Sequence, residues 1–157
     1  MWLDFIFRIF RRFSGKLQWQ LLWLANSKFM VCVAGVILDA QERVLLQRHR
    51  HWVPDVWGLP GGIVHRGETL EAAFSREVGE ETGLNVTEVQ LVRFYSGYNL
   101  RLEVFFRARV ATSGEPVMRL QTSEVLEARF FPYEELPANI LPQQREIITT
   151  VRNRLQP

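Results

Sequence analysis

The stretch REVGEETGL, residues 76–84, holds three glutamates around one glycine. In a helix, Glu77, Glu80 and Glu81 would lie three or four positions apart on one face, where like charges repel by a few tenths of a kcal/mol per pair. Gly79 inside the same helix costs about 1 kcal/mol relative to alanine. The stretch is therefore unfavourable as an isolated helix, which indicates that a group outside the helix compensates for the clustered charge.

A hard divalent cation would provide this compensation. Mg²⁺ prefers oxygen ligands, keeps several waters and commonly bridges protein carboxylates to the phosphates of a substrate. The three glutamates follow a glycine-rich turn, LPGG at residues 59–62. The sequence therefore predicts a metal site on this helix.

The chain shows strand and helix patterns on both sides of the stretch. Residues 29–38 and 43–49 are apolar runs joined by the turn-prone DAQE, which predicts a hairpin. Apolar spacing predicts a helix over residues 69–82, with Gly83 as its C-terminal cap. The other predicted elements are strands at residues 86–96, 100–111 and 124–131 and a helix at residues 142–155. Together they predict an α/β fold with a mixed sheet and helices on its faces, an α/β/α sandwich.

The run that includes this helix resembles the signature of the Nudix hydrolases, which reads G, five residues, E, seven residues and REUXEEXGU, where U is apolar. Every specified position is matched, beginning at Gly62 and Glu68 and ending with residues 76–84. The preceding hairpin, LPGG and the later EARFFPYEELP are also similar to this family. The resemblance implies the Nudix α/β/α sandwich for a domain at residues 28–157. It leaves outside a basic helical arm at residues 1–27, which the sequence pattern predicts.

By motif position, the resemblance implies that Glu77, Glu80 and Glu81 bind Mg²⁺ or Mn²⁺. A second role stays open for Glu77, which is also a candidate for the base that activates water. Arg76 is expected to orient the glutamates by ion pairing, above all with Glu68. Glu68 is also a candidate to assist the metal site.

Further metal ligands are implied outside the helix. The main-chain carbonyl of Gly61 resembles a backbone metal ligand of the family. A fourth carboxylate often comes from the loop before the last strand, where Glu124 is the candidate and Glu127 and Glu103 are the alternatives.

The implied chemistry is metal-dependent hydrolysis of the diphosphate linkage in a nucleoside diphosphate derivative. Clustered cations stabilise the negative charge that gathers on phosphate oxygens as the P–O bond breaks. Water becomes a useful nucleophile when a metal or a carboxylate draws off its proton. The alternative is a Nudix-fold nucleotide-binding or regulatory module without catalysis, which the arm recruits to a membrane or a partner.

Basic and aromatic residues near the expected cleft are candidates for contacts with the substrate. Arg48 and Arg50, with the neighbouring histidines, are candidates to meet phosphates, against the alternative of a plain surface loop. Trp52 is a candidate to stack on a nucleobase, whereas Trp57 is expected to pack. Tyr98 falls slightly short of a tyrosine position of diadenosine polyphosphate enzymes, and the proline typical of the family's ADP-ribose enzymes is absent. Nucleoside triphosphates, nucleotide sugars and capped RNA ends stay open.

The arm carries an apolar helical stripe, which Ser14-Gly15 divides into two short helices. Its basic residues are Arg8, Arg11, Arg12 and Lys16. Three interpretations stay open. They are packing onto the domain or onto a second subunit in a homodimer, contact of a basic amphipathic helix with an anionic membrane surface, and nucleic-acid contact, for which there is no strong signal.

The composition is that of one globular domain. The 157 residues are 47% hydrophobic, and a net charge of +2 is too small to indicate nucleic-acid binding by itself. The single cysteine, Cys32, excludes an internal disulfide framework and is expected to be a buried thiol.

No run approaches the ~20 apolar residues that span a bilayer, and the first residues lack the pattern of a signal peptide. A cytoplasmic location is expected, with peripheral membrane contact as an open alternative.

Overall fold

A mixed sheet forms from the apolar runs described above. The computed structural model describes residues 15–96, 99–121 and 123–155. The helices are α1 (Gly15–Ala25), α2 (Leu70–Thr82) and α3 (Pro142–Leu155), and a short 3₁₀ turn spans Tyr133–Glu135. The strands are β1 (Met30–Leu38), β2 (Val44–His49), β3 (Trp57–Gly58), β4 (Gly61–Ile63), β5 (Val86–Ser96), β6 (Arg101–Val110) and β7 (Val125–Phe131).

Strand β1 lies at the centre of this sheet. It runs parallel to β6, from the pair Met30–Arg101 to the pair Leu38–Arg109, and antiparallel to β2 and β4 on its other edge. Strand β2 continues the sheet to β3 and β7, while β5 pairs antiparallel with β6. A strand that is covered on both faces is apolar along its whole length, and the sequence MVCVAGVIL of β1 has this character.

Helices cover both faces of the sheet and complete the sandwich. On one face, Phe74 and Val78 of α2 belong to the same buried cluster as Val33 and Ile37 of β1. On the other face, the buried residues of α3 cluster with neighbouring residues of β1 and β2; these are Ile147, Ile148 and Val151 with Val36, Leu38, Val44 and Leu46. The predicted α/β/α sandwich is therefore confirmed.

Local signals fix both ends of α2. The side chain of Thr69 accepts a hydrogen bond from the backbone N–H of Ala72 at 3.2 Å, so Thr69 is the N-cap and Leu70 is the first helical residue. Gly83 has a φ of 72°, and its N–H donates to the Gly79 carbonyl at 2.9 Å. The predicted glycine cap is thus confirmed, and the helix holds its acidic residues in fixed positions along one turn.

Most predicted bounds agree with the structure. The elements at residues 86–96 and 142–155 have the predicted limits, and the strands predicted at 100–111 and 124–131 are one residue shorter at one or both ends. Strands β3 and β4 were not predicted. They have two and three residues in a glycine-rich segment, which is too short for a periodic signal.

Helix α1 is largely exposed, and none of its residues is buried. Trp19 and Trp23 are 75% and 63% exposed. Packing of this helix onto the domain is therefore not seen, whereas contact with a second subunit or a membrane stays open. Residues 1–14, with Arg8, Arg11 and Arg12, lie outside the described residues. Among the helices that are described, none is long and apolar enough to cross a membrane.

Candidate active site

The acidic face of α2 borders a cleft of about 490 Å³. Strand β4 forms one wall of this cleft, because its glycines allow α2 to approach closely. The residues predicted for the metal site and its support that line it are Gly61, Gly62, Arg76, Glu77, Glu80, Glu81 and Glu124, and the candidates Glu103 and Trp52 line it as well. The structure thus brings the signature glutamates and the fourth candidate carboxylate into one cavity.

Arg76 is the ionic centre of the signature. Its Nη1 donates to Glu77 at 2.9 Å and to Glu80 at 3.0 Å. Its Nε and Nη2 donate to the two carboxylate oxygens of Glu68 at 3.1 and 2.9 Å. A further bond from Nη2 reaches the Ile63 carbonyl at 3.1 Å and ties the guanidinium to β4. These contacts are the geometry that the predicted orienting role of Arg76 requires.

The contact with Arg76 also sets the charge of Glu68. Hydrogen bonds from Arg76, with a second contribution from the backbone N–H of His65, lower the pKa of Glu68 to about 2. The same carboxylates raise the pKa of Arg76 above its already high ordinary value. Both groups are therefore ionised at neutral pH, and Arg76 neutralises part of the acidic cluster.

Glu81 lies at the bottom of the cleft without a cation beside it. Its side chain is 3% exposed, and its two oxygens accept hydrogen bonds from Nε2 of Gln47 at 2.8 Å and from the Gly61 N–H at 3.0 Å. Burial raises the pKa of Glu81 to about 7, and the charges of Glu77 and Glu124 add to this rise while the two hydrogen bonds oppose it. Glu81 is therefore a carboxylate whose charge the described residues do not compensate.

Gly62 allows the carboxylate of Glu77 to reach the cleft. A Cβ atom at Gly62 would lie 2.3 Å from Cδ of Glu77 and 2.4 and 2.5 Å from its two oxygens. These distances are far inside van der Waals contact, so a larger residue would displace the carboxylate. The first glycine of the signature thus provides the space for the first of its clustered glutamates.

The donor set fits a hard divalent cation. The described residues contain no group of three His, Cys, Asp or Glu side chains already arranged to hold a metal ion. The geometry explains this, because Arg76 holds Glu77 and Glu80 while Glu81 bonds to Gln47. All the side-chain donors are carboxylate oxygens, which suit Mg²⁺ or Mn²⁺. Glu81 is buried and bonds to Gln47 and Gly61, so a bound cation would stabilise its ionised form.

The structure distinguishes the candidates for the fourth carboxylate. Glu124 lines the cleft, and its Oε2 lies 3.6 Å from Nε2 of His49. Glu127 forms ion pairs with Arg48 at 3.2 Å and with Arg129, and it does not line the cleft. Glu103 lines the cleft from β6. The charge of Glu124 also contributes to the raised pKa of Glu81. Glu124 is therefore the candidate that the structure favours as the fourth carboxylate.

The predicted substrate contacts divide into two groups. Trp52 lines the cleft and stacks on the ring of His49, with centroids 5.2 Å apart. Arg48 instead points to Asp55 at 2.9 Å, and Nε of Arg50 donates to the Ser123 carbonyl at 3.2 Å; neither arginine lines the cleft. Their binding to substrate phosphates stays a prediction. Tyr98 lies outside the described residues.

Sequence reasoning missed Gln47, which holds Glu81. Gln47 is fully buried in β2, and its Oε1 has no hydrogen-bond partner among the described residues. The signal was present in the sequence as a polar residue at the end of the apolar run RVLLQRH. Its contact with a glutamate 34 positions away could be read only from the fold.

Comparison with known proteins agrees with the geometry. The family described as NUDIX domain matches residues 28–151 and includes the whole acidic helix. The chain belongs to the Nudix family. The resemblance deduced from the signature is confirmed, and the match covers this Nudix domain from before β1 into α3.

Three relatives illustrate the range of the similarity. Nudix hydrolase 6 of Arabidopsis thaliana is 31% identical over 137 residues, which are 82% of this chain and 48% of that protein. NAD-capped RNA hydrolase NudC of Deinococcus radiodurans is 38% identical over 93 residues, which are 59% of this chain and 32% of that protein. A solved NUDIX hydrolase from Nitrosomonas europaea has a TM-score of 0.67 at 26% identity, covering 81% of this chain and 90% of that one. This Nudix chain spans less than half the length of the two curated relatives.

Proposed function

We propose that this Nudix protein is a metal-dependent hydrolase that cleaves the diphosphate linkage of a nucleoside diphosphate derivative. The observation that carries the proposal is the convergence of Glu77, Glu80, Glu81 and Glu124 on one cleft, with Glu81 buried and without a compensating cation. Burial of a charged group is unfavourable unless a partner compensates it, so the buried Glu81 supports a metal at this site, and turnover separates cleavage from metal-dependent binding alone.

The residues of the cleft have separate tasks in this proposal. Glu80 and Glu81 would hold Mg²⁺ or Mn²⁺, with Glu77, Glu124 and the Gly61 carbonyl as further candidates. A bound ion supplies charge stabilisation to the phosphate oxygens and acidifies water. Arg76 fixes the carboxylates of Glu77 and Glu80, and Gln47 fixes that of Glu81. Glu77 keeps its second assignment as the base that accepts the proton of the attacking water.

The substrate class is a nucleoside diphosphate linked to a second group. The relative named as an NAD-capped RNA hydrolase makes NAD and NAD-capped RNA informative first compounds. Nucleoside triphosphates, ADP-ribose, diadenosine polyphosphates and nucleotide sugars complete a panel that separates the possible second groups.

Turnover on this panel tests the proposal. Each compound is incubated with Mg²⁺ or Mn²⁺, and the products are separated by chromatography. Glu81→Gln is the test variant, and Glu71→Gln is its matched control, because Glu71 is an exposed glutamate in the first turn of the same helix. We expect turnover that EDTA abolishes, a loss of about 100-fold or more in Glu81→Gln, and wild-type turnover in Glu71→Gln. Metal-dependent nucleotide binding with no turnover on any compound would favour the binding-module alternative.

The exposed helix α1 favours a second role, which is contact with an anionic membrane surface. The described part of the arm has no acidic residue, and its two tryptophans are exposed. Tryptophan is enriched at membrane interfaces. Pelleting of the full chain with anionic vesicles, compared with the variant Trp19→Ser/Trp23→Ser, tests this role. Equal pelleting would exclude it, and a dimer mass in solution that the variant loses would show that a second subunit covers α1 instead.

A further inference from the structure

The floor of the cleft continues beyond the acidic helix onto two more strands. Cys32 of β1 lies opposite Ile63 of β4, Glu103 of β6 lies opposite Cys32, and Tyr95 of β5 lies opposite Glu103. Neighbouring strands are about 4.8 Å apart, so Glu103 lies about 10 Å and Tyr95 about 14 Å from Ile63. Directly paired residues point to the same face of a sheet. These side chains therefore form one row across the floor.

A second cavity adjoins the first at the far end of this row. It measures about 400 Å³ and is lined by Tyr95, Ser96, Arg101, Glu103 and Gln143. Arg101 and Glu103 also line the first cavity. The cleft thus has two connected parts, an acidic part at α2 and a part of mixed charge over β5 and β6, with the Arg101–Glu103 pair at their junction.

The pair at the junction keeps hydrogen-bonding capacity for a ligand. Nη2 of Arg101 lies 2.9 Å from Oε1 of Glu103, and the two side chains are 42% and 27% exposed. Arg101 contacts Oε1 of Glu103, and a carboxylate accepts several hydrogen bonds at its two oxygens. Glu103 can therefore also accept hydrogen bonds from a neutral polar group.

We propose that Glu103 and Arg101 form a sugar-recognition subsite, in which the Glu103 carboxylate accepts hydrogen bonds from the ribose hydroxyls of the nucleoside. The inference rests on the proposed function: with the diphosphate at the acidic helix, the adjoining second cavity would take the nucleoside. A carboxylate has two acceptor oxygens for two neighbouring hydroxyls, and bonds to an ionised acceptor are about twice as strong as neutral ones. A 2′-deoxyribose lacks one of these hydroxyls. The protein therefore selects ribonucleotides over 2′-deoxyribonucleotides.

Calorimetric titration of the full chain tests this subsite. The ligands are α,β-methylene-ADP, which cannot be hydrolysed at its bridge, and its 2′-deoxy form, each with Mg²⁺. We expect the wild type to bind the ribose form about tenfold more tightly, which is the effect of one hydrogen bond to a charged group. The ratio of the two dissociation constants should fall to about one in Glu103→Ala. In Glu103→Gln, which keeps the shape of the side chain but loses its charge, the ratio should fall to about threefold. Circular dichroism melting confirms that each variant is folded.

A matched control and the contrary outcomes complete the test. Glu115→Ala removes an exposed glutamate that pairs with Arg43 at 2.9 Å outside both cavities, and it should keep the wild-type ratio. Equal binding of the two ligands by the wild type refutes the subsite, and so does an unchanged ratio in both Glu103 variants. If the wild type binds neither ligand and cleaves no nucleotide, the proposed function fails as well. Turnover of nucleotides without sugar discrimination overturns the subsite alone.

Discussion

Replacement of Gly62 by alanine should damage catalysis while leaving the fold intact. The new Cβ would lie 2.3 Å from Cδ of Glu77, against an ordinary contact distance of 3.4 Å or more, so the carboxylate must retreat by at least 1 Å. A displacement of this size in an active site can reduce the rate about 100-fold, or by about 2.7 kcal/mol of transition-state stabilisation. The fold should survive, because the clash is with the end of a flexible side chain and Gly62 does not have a positive φ.

Gly79→Ala is the matched control for this prediction. A Cβ at Gly79 would meet only the Leu84 carbonyl, at 3.8 Å, so nothing in the described chain requires glycine there. We expect the free energy of unfolding to rise by about 0.5–1 kcal/mol, the thermal midpoint to rise by about 1–4 °C, and kcat/KM to stay within about twofold of wild type. Steady-state kinetics on the best substrate and thermal melting measure both effects. Wild-type kcat/KM in Gly62→Ala would refute the role assigned to the position of Glu77.

Three further predictions concern the neighbours of these glycines. Gln47→Met removes the hydrogen bond to Glu81 and should raise the Mg²⁺ concentration for half-maximal thermal stabilisation about tenfold, while an unchanged metal titration would contradict its positioning role. Arg76→Lys should reduce kcat/KM at least tenfold, because one ammonium cannot contact all three carboxylates that the guanidinium holds. A wild-type kcat/KM in this variant would contradict the prediction. Burial raises the pKa of Glu81 from 4.5 to about 7, so the folded metal-free protein binds a proton more tightly than the unfolded chain. The contribution of Glu81 to stability should therefore be fully present below pH 4.5 and be lost as the pH rises through 7, and melting of wild type and Glu81→Gln in EDTA across this window should show a difference between them that changes in this direction.

The sequence predicted those features that depend on local signals. Helix α2 and its C-terminal cap follow from the sequence, because apolar spacing and Gly83 act within a few residues of the helix, whereas Thr69, expected as the first helical residue, is the N-cap. The acidic cluster was predicted for the same reason, since its members are close in the chain. Contacts between distant segments were not accessible: Gln47 meets Glu81 only because β2 and α2 pack side by side. In the same way, Arg48 carries the charge expected of a phosphate ligand, but the fold turns it toward Asp55 and Glu127.

The contacts of Arg76 have a consequence for the order of folding and metal binding. Small domains that are organised around a metal commonly remain unfolded until the ion arrives, so their folding depends on metal supply. Here an internal guanidinium already joins α2 to β4 and shields two of the glutamates. We therefore expect the newly made chain to fold in a cell depleted of divalent ions. The folded, metal-free protein would then bind the ion together with the nucleotide. Metal scarcity would then switch off the activity of such a protein without exposing it to proteolysis.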